Sequence, residues 1–191
     1  MSSQNKVKTM TIAALLCAVG IVIPMYSPIK ILLDPASFTL ASHVAIFIAM
    51  FISPAVGIFV AFGTAFGFLL SGYPIVIVFR AFSQIIFVAV GAYLLKKNNN
   101  ILLSPTTMVP FAIIISIIHA LGEIGSVLLY YCFNAPVNNM TNFIIYLVGL
   151  GTFIHSLIDF TIAFLIWKPL QIVIKVPANA KIRTKKSKLP L

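Results

Sequence analysis

The chain has 191 residues, 61% hydrophobic and only 8% charged, with a formal net charge of +10. Soluble domains carry about a quarter charged residues, so this composition excludes a soluble fold and points to a polytopic membrane protein. The basic residues sit in short clusters between apolar runs and at the two ends, not across one folded face as nucleic-acid binding requires.

A transmembrane helix needs about 20 mainly apolar residues. The first run of that kind, 9–26, follows Lys6 and Lys8 and so imitates a signal peptide. It continues to Met25 with no small-x-small cleavage site and reads as a mature helix. Further runs follow at 38–53, 55–72, 75–95, 107–131 and 143–167. The separators are SPIKILLDPAS, SP at 53–54, SGYP at 71–74, KKNNNILLSP and CFNAPVNNMTN. Proline cannot continue a helix without losing a backbone hydrogen bond, so these are physical breaks. The second and third runs are separated by almost nothing and form a tight antiparallel pair.

The expected fold is an all-α integral membrane protein with six transmembrane helices. A helical domain covers 1–168 and a basic cytoplasmic tail covers 169–191. With the N-terminus inside, Lys6, Lys8, Lys96, Lys97, Lys168, Lys175, Lys181, Arg183, Lys185, Lys186 and Lys188 are cytoplasmic, eleven of the 13 basic residues. Lys30 falls outside and Arg80 in the membrane. The positive-inside rule therefore places both termini in the cytoplasm. The tail, ending KIRTKKSKLPL, reads as a solvated segment near anionic headgroups.

Cys17 and Cys132 fall in or near different apolar segments and have no spacing for a disulfide or a metal. The acids are Asp34, Glu123 and Asp159, and the histidines His43, His119 and His155. His119 and Glu123 are four apart, as are His155 and Asp159, so each pair shares one helical face. Such faces turn into a bundle, away from lipid.

Arg80, flanked by Ser83 and Gln84, interrupts the fourth run about 8 Å below its outer end at 1.5 Å per residue. His43 lies at a similar depth and Glu123 about 12 Å down. His119 and His155 come out near mid-membrane. This places the polar set mostly in the outer half, beneath the loop 27–37, as the lining of an outward-facing cavity. Arg80 with Glu123, and His155 with Asp159, equally satisfy the requirements of structural ion pairs. No tight metal-ligand cluster is visible in the spacing. Aromatic residues such as Phe79, Phe82, Tyr130 and Tyr131 serve as packing or interfacial anchors, or as walls around a small aromatic ligand.

Small residues four apart, Ala14 and Ala18 in the first run and Gly63 and Gly67 in the third, let helix backbones approach closely. There is no GxxxxGK[ST] phosphate loop, so the chain does not hydrolyse ATP itself. It also lacks HExxH and the acid clusters that intramembrane enzymes use. A stand-alone ion-coupled carrier with His155 and Asp159 as its relay is the remaining alternative. Internal inverted repeats, which would favour it, are not evident.

The stretch PASFTLASHVAIFIAMFISPAVGIFVAFGTAFGFLLSGYPIVIVFRAFSQ, residues 35–84, resembles the substrate-binding S components of energy-coupling factor vitamin transporters, and most closely their niacin-uptake branch. The resemblance covers most of the first 95 residues and weakens afterwards. It implies a small-vitamin ligand, nicotinate first, with hydroxymethylpyrimidine, pyridoxine or pantothenate as alternatives. It also implies a bacterial cell-membrane location, and the residues themselves give no expectation of catalytic residues, a cofactor or a bound metal. The implied partners are a transmembrane coupling subunit and two ATPase subunits, with Ala14 and Ala18 as the docking surface for the former. For such a ligand, membrane depth and side-chain chemistry, not a matched family motif, make Arg80, His43, His119, Glu123, His155 and Gln84 the candidate contacts, with Arg80 gripping a carboxylate through two parallel hydrogen bonds.

Overall fold

A computed structural model describes residues 3–33, 36–134, 144–173 and 177–181. Asp34 and the basic residues Lys175, Arg183, Lys185, Lys186 and Lys188 lie outside the described residues.

Six helices are present among the described residues: α1 (Ser3–Tyr26), α2 (Val44–Ile52), α3 (Pro54–Leu70), α4 (Ile75–Lys97), α5 (Pro105–Asn134) and α6 (Gly151–Val173). A π-helical segment, Ile145–Leu150, leads directly into α6. Four helical stretches are long and apolar enough to cross a membrane: Ser3–Tyr26, Ile75–Lys97, Pro105–Cys132 and Ile145–Val173. Helix α3 is shorter at 17 residues, about 25 Å of rise against a ~30 Å hydrocarbon core.

Helix α2 differs from its expected span of 38–53. It begins at Val44, because the residues before it are drawn into a β-hairpin. Strands β1 (Lys30–Leu33) and β2 (Ala36–Thr39) pair antiparallel, Lys30 opposite Thr39 and Leu33 opposite Ala36. The segment read as a plain loop over 27–37 is thus mostly hairpin. Its backbone groups find partners across the ladder instead of in water.

All nine residues of α2 are buried. A helix apolar all round belongs inside a protein, and α2 accordingly forms the centre of the bundle, with Phe47, Met50 and Phe51 inaccessible to solvent. Burial leaves its terminal N–H and C=O groups without water, so they need protein partners. Distant parts of the chain supply them. At the N-terminus, Asp159 of α6 accepts from the Ala41 N–H at 2.9 Å and the His43 N–H at 2.8 Å. At the C-terminus, the Ala180 and Asn179 N–H groups donate to the Phe51 and Ile52 carbonyls at 2.9 and 3.0 Å.

That second contact changes the expected picture of the tail. Residues 177–181 fold back against the bundle, and Ala180 is fully buried. Its carbonyl accepts from Trp167 Nε1 at 3.2 Å and from Gln171 Nε2 at 2.6 Å. The Lys181 N–H reaches the Asn99 carbonyl beyond the end of α4. The need to satisfy α2 overrides the solvation favoured by a basic composition.

Ser53 separates α2 from α3 and caps the latter, its hydroxyl accepting from the Val56 N–H at 3.3 Å while Pro54 opens the helix. Helix α1 packs on α3 through glycines. A Cβ at Gly63 would lie 2.6 Å from Cys17 Sγ, and one at Gly67 would overlap Ile21 Cδ1. Ala14 and Ala18 are exposed.

Candidate functional site

Arg80 and Gln84 are one turn apart on α4, so their side chains emerge from the same face. Both are buried, at 5% exposure. Opposite them, Glu123 projects from α5 and is only 2% exposed. Arg80 Nη2 donates to Glu123 Oε2 at 2.7 Å and Arg80 Nε to the same oxygen at 3.1 Å. The Thr152 hydroxyl of α6 donates to that oxygen at 2.5 Å. His119, one turn before Glu123, places Nε2 3.4 Å from Glu123 Oε1, and its Nδ1 lies 3.1 Å from the Ser156 hydroxyl.

A second cluster adjoins the first. Ala41 adopts φ 67°, an unusual conformation for a residue with a Cβ. The turn it makes directs the Ala41 and His43 N–H groups at the Asp159 carboxylate. The His43 ring follows: its Nδ1 lies 3.1 Å from Asp159 Oδ2 and its Nε2 3.0 Å from Gln84 Nε2. A proton on Nδ1 bonds the carboxylate, which leaves Nε2 to accept from the Gln84 amide. His155 Nε2 lies 3.3 Å from Asp159 Oδ2 and 3.0 Å from the Ser42 hydroxyl. The His43 ring meets His119 and His155 edge-on, with centroids 4.7 and 5.0 Å away.

Between this set and the hairpin lies a cavity of about 50 Å³ lined by Ser37, Thr39, Ser42, His43, Arg80 and Gln84, with Thr64, Phe68 and Tyr73 also on its wall. That volume holds roughly three to five waters. Phe38 of β2 lies over the Arg80 guanidinium, 5.7 Å from ring centroid to Cζ, and touches the His155 ring. Burial raises the phenol pKa of Tyr73, so it presents a neutral hydroxyl at the wall. Gln84 Oε1 is buried without a hydrogen-bond partner.

Arg80, His43, Gln84 and Glu123 therefore meet at one cavity. His119 and His155 stand behind it, packed against His43. The sequence had paired Asp159 with His155 alone, whereas its shortest contacts are to His43 and the backbone before α2. Spacing could not show this, since the two residues are 116 apart in sequence. Ser42, Thr64, Thr152 and Ser156 also escaped notice, because hydroxyl residues carry no distinctive signal in apolar helices.

Two groups of side chains have donor atoms close enough to hold a metal ion: His43, His155 and Asp159, and His43, His119 and Glu123. The absence of a visible cluster in the sequence reflects His43 arriving from a different element.

No family model matches the chain, and no solved structure matches it. It is similar in sequence to the niacin transporter NiaX of Lactococcus lactis subsp. cremoris (strain MG1363). The two are 40% identical over 165 residues, covering 85% of this chain and 74% of that protein.

Proposed function

Because this chain belongs to the family of the niacin transporter NiaX, we propose that it is the vitamin-binding membrane subunit of an energy-coupling factor importer, with nicotinate as its ligand. The observation that carries this reading is the buried polar cavity beneath the hairpin, with Arg80, His43 and Gln84 on one wall. Nicotinate is a flat aromatic ring bearing one carboxylate. The carboxylate docks on the Arg80 guanidinium beside or in place of Glu123, a planar fork matched to a carboxylate. The ring packs against the aromatic wall supplied by Phe68 and Tyr73. His43 and Gln84 present hydrogen-bonding groups to the ring edge, and His119 and His155 orient His43 from behind.

The cavity is smaller than the nine heavy atoms of nicotinate require. In this reading the hairpin moves outward to admit the ligand and settles over it afterwards. Six helices cross or enter a bacterial cell membrane with both termini in the cytoplasm, which turns the hairpin and the cavity to the outside. The subunit performs no chemistry on its ligand. Transport energy comes from two ATPase subunits acting through a transmembrane coupling subunit, which docks on the exposed Ala14 and Ala18 face of α1.

Calorimetry on the purified full-length chain with nicotinate, pyridoxine, hydroxymethylpyrimidine and pantothenate tests the ligand. Nicotinate alone binding tightly is the expected result, and tight binding of another compound reassigns the substrate. Uptake that persists in cells lacking the ATPase subunits would instead favour an ion-coupled carrier.

A further inference from the structure

We propose that His43, His155 and Asp159, together with Ser42, form a binding site for one divalent transition-metal ion beside the cavity. The inference does not depend on the identity of the vitamin.

The donor atoms already converge. One ring nitrogen each of His43 and His155 and a carboxylate oxygen of Asp159 lie within 4.8 Å of one another. Asp159 Oδ2 is 3.1 Å from His43 Nδ1 and 3.3 Å from His155 Nε2. Ser42 Oγ is 3.0 Å from His155 Nε2 and 3.2 Å from His43 Nδ1. Metal–nitrogen and metal–oxygen bonds of 2.0–2.2 Å give tetrahedral ligand–ligand edges of about 3.3–3.5 Å. The four edges from Asp159 Oδ2 and Ser42 Oγ to the two imidazoles, 3.0–3.3 Å, lie within a few tenths of an ångström of those values.

Charge points the same way. Asp159 is fully buried in α6. Among the described residues no lysine or arginine lies within ion-pair distance of it, and its ionic partners are two imidazoles. Glu123, by contrast, is balanced by Arg80. A buried carboxylate in a membrane requires a cation beside it.

The surroundings also suit a metal. The Ala41 N–H holds Asp159 Oδ1, fixing the carboxylate. With an ion on Nδ1, the His43 proton moves to Nε2, and Gln84 then turns its amide to accept it. That rotation gives the unpartnered Gln84 Oε1 a donor. Two imidazoles and one carboxylate select Zn²⁺, Ni²⁺ or Co²⁺ over Ca²⁺ and Mg²⁺, which prefer oxygen sets. Ser42 and His43 line the cavity, which gives the ion a route in. The other group, His43 with His119 and Glu123, is unsuited because the Arg80 guanidinium already occupies Glu123.

The test uses the full chain in detergent micelles, without an affinity tag or vitamin. It is stripped with a chelator, loaded with Zn²⁺ or Co²⁺ and desalted. The expected result is about one equivalent of retained metal per chain, with Co²⁺ showing the intense visible bands of a tetrahedral site. His155→Gln and Asp159→Asn should each lower metal retention at least about tenfold, and Cys132→Ser, at an exposed thiol outside the cluster, should leave it unchanged. No retained metal in the wild-type chain overturns the proposal and leaves a proton on an imidazole as the counter-charge. Undiminished retention in both ligand variants overturns it as well. Should the variants fail to fold, the wild-type stoichiometry and Co²⁺ spectrum still decide.

Discussion

Arg80 and Glu123 close an ion pair inside the bundle, Nη2 to Oε2 at 2.7 Å, and Thr152 donates to the same oxygen from a third helix. One carboxylate oxygen thus ties α4, α5 and α6 together. Neither charge is exposed enough to rely on water, so each depends on the other. Removing one partner of a buried pair costs more than removing both.

Glu123→Ala should therefore destabilise the chain by about 3–5 kcal/mol, because it strands the Arg80 guanidinium. The double variant Arg80→Met with Glu123→Met should recover most of that loss. Thermal unfolding of the purified variants checks both. A double variant as unstable as the single one would mean that the pair contributes to stability beyond mutual neutralisation.

Deleting residues 177–191 should destabilise the bundle by about 2–6 kcal/mol, on the basis of ~1–3 kcal/mol for each buried acceptor left unpaired. The deletion strips the Phe51 and Ile52 carbonyls of their donors and exposes Trp167. Amide hydrogen exchange should accelerate in the last turn of α2. Exchange unchanged there would show that the returning segment is not what satisfies the helix end.

Ala14→Trp with Ala18→Trp should leave the unfolding temperature and vitamin binding unchanged while abolishing co-purification with the coupling subunit. Both alanines are exposed. Gly63→Trp is the contrasting variant. It drives an indole into Cys17 and should break the contact between α1 and α3. Co-purification that survives the alanine changes would remove α1 as the docking face.

Gln84→Glu replaces the amide donor beside His43 with a carboxylate and adds a negative charge to the cavity wall. An anionic ligand should lose at least about tenfold in affinity, or ~1.4 kcal/mol. A neutral vitamin should lose less, so titration of the variant with nicotinate and nicotinamide separates charge from shape.

Much of this arrangement was legible in the residues. The apolar runs located the helices, because length and proline breaks are local signals. Arg80 and Glu123 were foreseeable as partners, since an apolar chain with so few ions leaves few pairings. The i, i+4 spacing correctly placed His119 beside Glu123. It also placed His155 beside Asp159, but it did not reveal that Asp159 caps α2 from 116 residues away, because no local pattern encodes a cap supplied by another helix. The hairpin was missed for a related reason. Strands of four residues each carry too little periodicity to be told from a loop. The returning tail was hidden by its basic composition, while the demand of α2 for donors appears only once that helix is known to be buried end to end.

The most direct measurement is calorimetric titration of the wild-type chain and of Arg80→Ala with nicotinate, alongside thermal unfolding of both. The expected result is tight, saturable binding to the wild type and none to a variant that still unfolds cooperatively. Binding of equal strength to folded Arg80→Ala, or no binding to the wild type, would contradict a carboxylate site built on Arg80.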